Sequence, residues 1–483
     1  MKWCIYNILF ALLYPFLLPG FVMRMLRRGG YAARMGDRFA LYPEGLFGKD
    51  RPLFDGHAPQ SNNRTIEQSN NSSPVWIHAV SVGEVQVAGQ LMREWRKVEP
   101  DVRFCFSTTS STGWKIAEKE LKELNSQPQP STSTSDVLIY NPLDFPNFVK
   151  SALRTVRPRA IVLTESEIWP NFIRTAKKMG VPLFLINARV SDRSAPRYKA
   201  AKWFFGEVLS CFTRIFAQSD LDKARLVAAG APEENVEVTG SFKFDVARRN
   251  AAKERELREW IELSTNQTNL TNKILLGGST WPGEDEVLLK IYKRLLETQT
   301  LNNSKTQTLL VIAPRHFEKA DAVEANIRKY GFACVRRSRG EKGAVHCTTT
   351  TSDYDYPPVY LADTTGELMG LYGIADVVFV GKSLCAHGSQ NMIEPCLCGK
   401  PTLVGPYTEN FRPVMSDLLA SDAIIQVRDA KELEERIVEL FGSLKSDEDV
   451  ASPLLGLGGR AKAAVEKRLG VVSKCVSEIR GAL

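Results

Sequence analysis

The stretch that decides the fold is ADVVFVGKSLCAHGSQNMIEPCLCGKPTLVGPYTENF, residues 375–411. An apolar run at Val377–Val380 ends in Gly381, a loop of small and polar residues follows, and a helix pattern opens near Asn391 and carries Glu394. This order of strand, loop and helix is typical of an open α/β sheet, in which the loops after the strands face a ligand crevice. A nucleotide would fit there, with its phosphate near Asn391 and its ribose near Glu394, but an ordinary βαβ turn explains these residues equally well.

Short apolar runs alternate with helical patterns in two successive groups. The first group comprises Val75–Val80, Val102–Ser107, Val137–Tyr140, Ala160–Leu163, Leu183–Asn187 and Arg214–Gln218, and the second comprises Ile274–Leu276, Thr308–Ala313, Ala333–Val335, Val359–Leu361, Val377–Val380 and Thr402–Val404. Runs of this length between helical segments predict parallel strands joined by crossover helices. The sequence therefore predicts an α/β protein with two Rossmann-like domains that face each other across a central cleft.

The spacing of these runs divides the chain into four parts. We expect an N-terminal membrane anchor at 1–28, a first domain at 29–245, a linker region at 246–271 and a second domain at 272–483. Two stretches at 59–73 and 125–135 are rich in Ser, Thr, Asn, Gln and Pro, and we expect them to form mobile surface loops.

Composition and charge restrict the class of protein. The chain has 483 residues, of which 43% are hydrophobic and 24% charged, and these values are typical of a folded protein of about two domains. The net charge of +8 comes from Lys and Arg residues that are spread along the chain, which favours an anionic surface or substrate over a nucleic acid. The nine cysteines are scattered, with no pair spaced like a zinc site, so reduced cytosolic thiols are favoured.

The amino terminus has the features of a membrane anchor. Residues 3–23 contain no charged side chain and are about long enough to span a bilayer, and Arg24, Arg27 and Arg28 follow them. This arginine excess predicts that the rest of the chain lies in the cytoplasm and that these arginines contact lipid headgroups. Two prolines within the run also allow a kinked or interfacial insertion, and an apolar helix packed into a soluble core remains an alternative.

Polar and acidic side chains follow three predicted strands of the first domain: Ser81, Gly83 and Glu84 after the first, Glu165 and Glu167 after the fourth, and Arg189 after the fifth. Acids at such positions suit a general base or the binding of sugar hydroxyls. Helix capping is the alternative for Glu84 and Glu167. Together these residues predict a polar crevice that receives an acceptor.

The second domain supplies small loops and cations. Gly277–Thr280 follows its first strand and opens a helix whose backbone N–H groups could hold an anion. Arg315 and His316 follow the second strand, where a guanidinium can bind a phosphate or carboxylate with two hydrogen bonds. The segment 363–368 either lines a base or caps a helix. No Walker motif is present, so we expect a donor site without a metal.

Several segments of the sequence resemble those of one family. The 3-deoxy-D-manno-octulosonic acid (Kdo) transferases are similar at RMGDRFALYP (34–43), WIHAVSVGE (76–84), TESEIWPN (164–171), INARVSDRS (186–194), VTGSFKFD (238–245), APRH (313–316), TGELMGLYGIADVVFVG (365–381) and the NMIEP and VGPYTENF segments. The resemblance runs from about residue 5 to the end, apart from the two polar stretches. It implies the GT-B architecture of a membrane-associated enzyme that transfers Kdo from CMP-Kdo to a lipid A precursor with inversion and without a nucleotide-bound metal.

The resemblance also implies a catalytic base. The acceptor is a sugar hydroxyl, which is too weak an acid to attack unless a carboxylate takes its proton. The family has a glutamate in the short motif after the N-terminal helix, and the matching residue here is Asp37, whose side chain is one methylene shorter. Glu165 resembles a second acidic active-site residue and is the alternative base. Asp37 could instead be a surface acid paired with Arg34 or Arg38.

The donor residues follow from the same resemblance. It assigns phosphate or carboxylate contacts to Arg315 with His316, Ser241, Lys243 and Asn391, ribose contacts to Glu394, and the cytosine side to Gly366 and Glu367. Lys382 stands where the family commonly has glycine, and it either adds an anion contact or points to solvent. Thr365 replaces a residue that is usually apolar. CMP-Kdo is the expected donor substrate, and no separate cofactor or metal is expected.

The main hypothesis is therefore an inverting Kdo transferase on the cytoplasmic face of the inner membrane. Its expected partners are a lipid A precursor and the membrane surface, with no nucleic acid, and the oligomeric state is open. Two alternatives remain at this point: a GT-B transferase that uses another nucleotide sugar, and a catalytically degraded membrane scaffold that still binds nucleotide. The shortened acid at Asp37 is the reason for the second alternative.

Overall fold

The computed structural model describes residues 2–28, 32–47, 73–126, 136–245, 250–262, 271–301, 306–340, 356–443 and 455–483. Both polar stretches that we expected to be mobile loops, 59–73 and 125–135, lie almost entirely outside these residues. The chain forms two compact units, of which one comprises Met1–Lys243 with Gly470–Leu483 and the other Phe244–Leu469.

The first unit is built on a seven-stranded parallel sheet. Its strands are β1 (Val75–His78), β2 (Phe104–Thr108), β3 (Val137–Tyr140), β4 (Ala160–Thr164), β5 (Leu183–Ala188), β6 (Arg214–Ala217) and β7 (Val236–Val238), in the order β3-β2-β1-β4-β5-β6-β7. The order changes direction at β1, and crevices in such sheets form at the carboxyl ends of the strands around this point.

Alternate side chains of each strand enter two different apolar cores, which explains the continuous apolar runs in the sequence. Trp76 belongs to one core and its neighbours Val75 and Ile77 to the other, and all three are fully buried. A sheet that is covered by helices on both faces requires this pattern. The expected α/β class with parallel strands is thus confirmed.

In the described residues, eight α-helices of the first unit precede the second unit in the chain. They are α1 (Lys2–Arg28), α2 (Val82–Val98), α3 (Ser111–Asn125), α4 (Pro146–Val156), α5 (Pro170–Lys178), α6 (Ala195–Ala200), α7 (Lys202–Leu209) and α8 (Asp220–Ala228), with a short 3-10 helix at Ala32–Phe39. Helix α1 contacts the unit through aromatic side chains. Trp3 packs on Phe204 of α7 at 5.4 Å between ring centroids, and Phe10 packs on Phe145 at 5.0 Å. Among the helices that the structure describes, none is both long enough and apolar enough to cross a membrane.

The second unit contains another seven-stranded parallel sheet. Its strands are β8 (Thr271–Thr280), β9 (Thr306–Pro314), β10 (Cys334–Arg336), β11 (Val359–Leu361), β12 (Val377–Val380), β13 (Thr402–Val404) and β14 (Ile425–Gln426), in the order β10-β11-β9-β8-β12-β13-β14. Its helices are α9 (Ala251–Glu262), α10 (Glu284–Leu301), α11 (Ala320–Lys329), α12 (Leu368–Ile374), α13 (Ile393–Leu397), α14 (Arg412–Ala420), α15 (Ala430–Ser443) and α16 (Leu455–Glu466). The strand order of this sheet reverses at β8.

Two segments belong to other parts of the fold than the domain bounds expected from sequence imply. The last helix, α17 (Val471–Gly481), is part of the first unit, where Val472, Val476 and Ile479 are buried in the core beneath α2. Burial of each such side chain contributes about 1.5–3 kcal/mol, which is sufficient reason for this packing. The expected linker 246–271 contains α9, whose Leu257 and Trp260 are buried in the core of the second unit.

Candidate active site

In the first unit, Glu84 caps helix α2. Its Oε2 accepts hydrogen bonds from the backbone N–H groups of Val80 and Ser81 at 2.7 and 3.0 Å, while Ser81 Oγ accepts one from Glu84 N at 3.3 Å. This reciprocal arrangement is a capping box, and it satisfies N–H groups that a helix leaves unpaired at its start. Glu84 therefore has a structural use at this turn, where Ser81 and Gly83 are exposed.

Glu165 follows β4 in a strained backbone conformation. Its φ of 51° lies in the left-handed region that favours glycine, and such strain is often found at functional sites. Arg189 Nε lies 2.8 Å from Glu165 Oε2, and Asn187 Nδ2 donates to Oε1 at 3.3 Å. Burial raises the pKa of Glu165, an effect that the charge of Arg189 opposes and that of Glu84 reinforces. The structure thus places Glu165 and Arg189, both of which were predicted for the polar crevice, in contact with each other.

Glu167 lies beside the same group of acids. It accepts a hydrogen bond from Trp169 Nε1 at 3.0 Å and does not cap α5, whose N-cap has no side-chain hydrogen bond. Burial, together with the negative charge of Glu84 and Glu165, raises the pKa of Glu167 to about 7. His78 Nε2 lies 3.9 Å from Glu167 Oε2 and has no hydrogen-bond partner among the residues that the structure describes. His78 is fully buried, and this burial lowers its pKa to about 3. His78 is therefore neutral at physiological pH.

Ser241 and Lys243 also belong to this edge of the first sheet. The segment is fixed by a hydrogen bond from Phe242 N to Asn187 Oδ1 at 3.1 Å, and Ser241 is buried. Burial lowers the pKa of Lys243, and the negative charge of Glu165 opposes this shift. The structure therefore places both residues in the first unit, near Glu165, although the family resemblance assigns them to the donor.

Asp37 lies at the other end of this sheet edge, next to β3. Its carboxylate is only 1% exposed and accepts hydrogen bonds from Arg34 Nε at 3.0 and 3.2 Å and from Tyr140 N at 3.1 Å. Burial raises the pKa of Asp37, and the hydrogen bonds from Arg34 and Tyr140 oppose that effect. Because β3 and β4 are three strand spacings apart at about 4.8 Å each, Asp37 and Glu165 are separated by roughly 14 Å. They cannot act as a hydrogen-bonded pair.

In the second unit, a buried glutamate organises the loop after β12. The carboxylate of Glu284 is fully buried and accepts hydrogen bonds from the backbone N–H of Trp281 at 2.7 Å and from those of residues 382–385 at 2.8–3.3 Å. A buried carboxylate is stable only when donors replace its lost hydration, and five backbone donors do so here. Glu284 does not stand out in the sequence, because its position in the first turn of α10 indicates only a favourable helix charge.

Arg315 and His316 follow β9, as predicted. Arg315 is exposed, and its backbone N–H donates to Thr280 O at 3.1 Å, which ties the start of this loop to the end of β8. His316 packs edge-on against the indole of Trp281, with 5.1 Å between ring centroids. Trp281 is a second residue of this site that no sequence pattern indicates.

Asn391 and Glu394 are connected to each other, and Arg315 acts on them through its charge. Asn391 Nδ2 donates to Glu394 Oε1 at 3.0 Å, and Asn391 Oδ1 accepts from Ile393 N at 3.1 Å at the start of α13. Burial raises the pKa of Glu394, while the hydrogen bond from Asn391 and the charge of Arg315 lower it. The structure thus brings these three predicted residues to one end of the second sheet.

A cavity of about 140 Å³ opens beside Arg315. Its lining includes Ser279, Arg315, Gly366 and Glu367. Burial raises the pKa of Glu367, but hydrogen bonds from Arg337, Lys253 and Thr364 outweigh it and hold the pKa at about 2. The Glu367 carboxylate is therefore charged and already has several partners. Gly366, with a φ of 82°, presents its backbone to the same cavity.

The remaining predicted residues, Arg24, Arg27 and Arg28, belong to helix α1, but their side chains lie outside the part of the chain that the structure describes.

Sequence comparison identifies relatives of the chain. A model of the family described as 3-deoxy-D-manno-octulosonic-acid transferase (kdotransferase) matches residues 34–246. A 3-deoxy-D-manno-octulosonic acid transferase of Haemophilus influenzae is 31% identical, over 82% of this chain and 87% of its own length. The enzyme of the same name from Bordetella pertussis is 32% identical, over 74% of this chain and 77% of its own. A bifunctional glycosyltransferase/methyltransferase of Fusobacterium nucleatum is 29% identical over 78% of this chain, which spans only 54% of that protein.

Structural comparison supports the fold. A glycosyltransferase from Rickettsia africae matches with a TM-score of 0.52 and 11% identity, over 84% of this chain and 97% of its own. The Anabaena protein HepE in complex with UDP matches with a TM-score of 0.51 and 12% identity, over 85% of this chain and 100% of its own. The two parallel-sheet α/β units therefore resemble those of GT-B glycosyltransferases.

Proposed function

The chain belongs to the 3-deoxy-D-manno-octulosonic acid (Kdo) transferase family, and from this membership we propose its donor, its acceptor and the roles of its residues. It is a glycosyltransferase that acts on Kdo in lipopolysaccharide biosynthesis. We propose that the donor is CMP-Kdo and the acceptor a lipid A precursor, an anionic glycolipid. The observation that carries this proposal is the identity of 31% with the Haemophilus influenzae transferase over most of both chains.

The proposed reaction is a single inverting displacement. The acceptor hydroxyl oxygen forms a bond to the anomeric carbon of Kdo while the bond from that carbon to the phosphate oxygen of CMP breaks. The hydroxyl proton passes to a carboxylate, and CMP leaves with the bonding electron pair. The residues must therefore supply one base on the acceptor side and fixed positive groups for the leaving phosphate.

For the base we propose Asp37. A carboxylate has about four positions at which it accepts hydrogen bonds, and Arg34 and Tyr140 use three of them in the structure. Because the carboxylate is only 1% exposed, an acceptor hydroxyl reaches the remaining position only when the side chains around it move on acceptor binding. The raised pKa of Asp37 suits a group that must take a proton. Glu165 is the second candidate, supported by its strained backbone and its raised pKa.

For the donor we propose a site formed by Arg315, Asn391, Glu394 and the cavity at Gly366. The exposed guanidinium of Arg315 suits the phosphate, because it can donate two parallel hydrogen bonds. Glu394, held by Asn391, is oriented to accept hydrogen bonds from ribose hydroxyls. Asp37, Glu165 and the acceptor residues belong to the first unit and these donor residues to the second, so each unit has its own chemical task.

We further propose that helix α1 attaches the enzyme to the cytoplasmic face of the inner membrane. One side of α1 packs on the protein through Trp3, Tyr6 and Phe10. The side chains of Ile8, Leu12 and Phe16, at helical spacing on another side, are more than half exposed. An apolar stripe of this kind is costly in water and is typical of contact with lipid, and the arginines at 24, 27 and 28 suit anionic headgroups.

One experiment tests the function and separates its alternatives. The purified protein is incubated with CMP-Kdo and a tetra-acylated lipid A precursor, and both CMP release and the mass of the lipid are followed. CMP release together with a lipid heavier by one or more Kdo residues is the expected result. Nucleotide binding without transfer would instead support a degraded scaffold, and transfer from a different nucleotide sugar would support another GT-B specificity.

A further inference from the structure

Lys382 occupies a backbone conformation that suits a glycine. Its φ of 55° lies in the left-handed region, where the Cβ of an ordinary residue is crowded. The conformation is imposed by the loop, because the N–H groups of Lys382 and the next three residues all donate to the buried carboxylate of Glu284. A lysine that accepts this strain in a fixed loop needs an explanation beyond the fold.

The Lys382 ammonium lies over an aromatic ring and not against an acid. Its Nζ is 4.8 Å from the centroid of the Trp281 indole, which is the geometry of a cation–π contact. Within the residues that the structure describes, no carboxylate is within ion-pair distance of this ammonium. The carboxylate of Glu284, which holds the backbone of this loop, has its oxygens directed to backbone N–H groups. The positive charge is therefore held in place without being neutralised.

Trp281 also connects Lys382 to the predicted donor residues. Its ring also contacts His316, which directly follows Arg315. Lys382 follows β12 and Arg315 follows β9, and these two strands flank β8 in the sheet. At about 4.8 Å per strand, the two loops begin roughly 10 Å apart at the same carboxyl edge. Two cations thus border one region of the second unit.

We propose that Lys382 is an anion-binding residue of the donor site that acts beside Arg315. The inference rests on CMP-Kdo being the donor, because this molecule carries two anionic groups, the phosphate that joins the nucleotide to the sugar and the carboxylate on the anomeric carbon. A neutral nucleotide sugar would lack the second anion. Lys382 and Arg315 provide one cation for each group, and Trp281 positions the lysine.

The test compares Lys382→Met, which removes the charge and keeps the apolar stem, with Lys382→Arg, which keeps the charge. The CMP dissociation constant is measured by calorimetry and the KM for CMP-Kdo by CMP release. We expect Lys382→Met to raise the KM for CMP-Kdo roughly tenfold or more and Lys382→Arg to recover most of the loss. A CMP dissociation constant that rises in parallel identifies the phosphate as the bound anion, and one that stays constant identifies the Kdo carboxylate.

Lys290→Met serves as the matched control, because Lys290 is an exposed lysine of α10 in the same unit. It should leave both constants unchanged, and Trp281→Leu should reproduce part of the Lys382→Met loss. If wild-type protein transfers Kdo and Lys382→Met has both constants within twofold of wild type, the role of Lys382 is refuted and the enzymatic function stands. If wild-type protein does not use CMP-Kdo, the proposed donor fails, and the role of Lys382 fails with it.

Discussion

Asp37 accepts a hydrogen bond from the backbone N–H of Tyr140, which is 103 residues later in the chain, at 3.1 Å. Tyr140 is the last residue of β3, so this bond fixes the acid to the carboxyl edge of the first sheet. Arg34, three residues before Asp37 in the chain, donates a hydrogen bond to the same carboxylate. The side chain that we propose as the base is therefore rigidly placed. A substitution that keeps its size can retain part of these hydrogen bonds.

Replacement of Asp37 by Asn should abolish most of the transfer activity. The amide has nearly the same size but cannot take a proton, and general bases typically contribute about 10²–10⁴ in rate. The donor residues lie in the other unit, so the CMP dissociation constant should stay within about twofold of wild type. Single-turnover rates and calorimetry measure the two effects.

Two further variants complete this test. Asp101→Asn changes an exposed acid of the first unit and should leave turnover unchanged. If Asp37→Asn turns over at a near-normal rate and Glu165→Gln does not, the base is Glu165. Asp37→Asn should also lower stability by about 1–2 kcal/mol, because Arg34 Nε donates to both carboxylate oxygens and would face the NH₂ group in either orientation of the amide.

Glu167 should make the folded protein less stable as the pH rises towards 7. Its pKa in the folded protein, about 7, is above its ordinary value of 4.5, because burial and the charges of Glu84 and Glu165 disfavour the ionised form. The folded state therefore holds the proton more tightly, and the resulting stabilisation is complete below pH 4.5 and is lost as the pH rises through about 7. The difference between these two pKa values corresponds to about 3 kcal/mol of stability.

The variant Glu167→Gln is neutral at every pH and should avoid this loss. We expect its melting temperature to exceed that of wild type above pH 7.5 and to equal it near pH 4.5, where Glu167 is protonated. Glu118→Gln, at an exposed position of α3, should show no such difference. Equal melting curves for Glu167→Gln and wild type at both pH values would refute the raised pKa.

Most strands could be predicted from sequence, and two could not. Runs such as Val377–Val380 match the observed strands to the residue, because a strand buried on both faces is continuously apolar. Strand β7 has a glutamate between its two valines and β14 has only two residues, so neither forms a continuous apolar run. The amphipathic pattern of α17 does not say which sheet it covers, so its packing in the first unit could not be foreseen.

The candidate site shows the same limit. Arg315 and Glu394 could be selected because they directly follow strands or open helices, which is a local property. The importance of Glu284 depends on N–H groups 98–101 residues later in the chain, and that of Trp281 depends on the packing of His316 and Lys382 on its ring. Contacts between distant segments leave no local signal in one sequence.

Glu284→Ala should disrupt the loop after β12. The variant leaves five backbone N–H groups without their acceptor, and each buried donor that stays unpaired costs about 1–3 kcal/mol. Water entering the cavity will satisfy part of them, so we expect a loss of roughly 3 kcal/mol and faster amide exchange confined to residues 381–390. Glu286→Gln, two residues later and half-exposed, is the control and should change stability by less than about 0.5 kcal/mol. Unchanged exchange in the loop of Glu284→Ala would contradict this view of Glu284.

Polar substitution on helix α1 should release the enzyme from membranes without unfolding it. Phe16 and Leu12 are 83% and 61% exposed, so replacing both with Ser removes almost no contact within the protein. If both side chains enter lipid, their loss weakens binding by about 3–5 kcal/mol, which is a factor of at least 100 in partitioning. Sedimentation with vesicles of phosphatidylethanolamine and phosphatidylglycerol measures this, and a melting curve checks that the fold is intact. Leu221→Ser is the matched control, since Leu221 is 56% exposed on α8 of the same unit and should not affect vesicle binding. Cosedimentation of the double variant at the wild-type level would show that α1 is not the membrane contact.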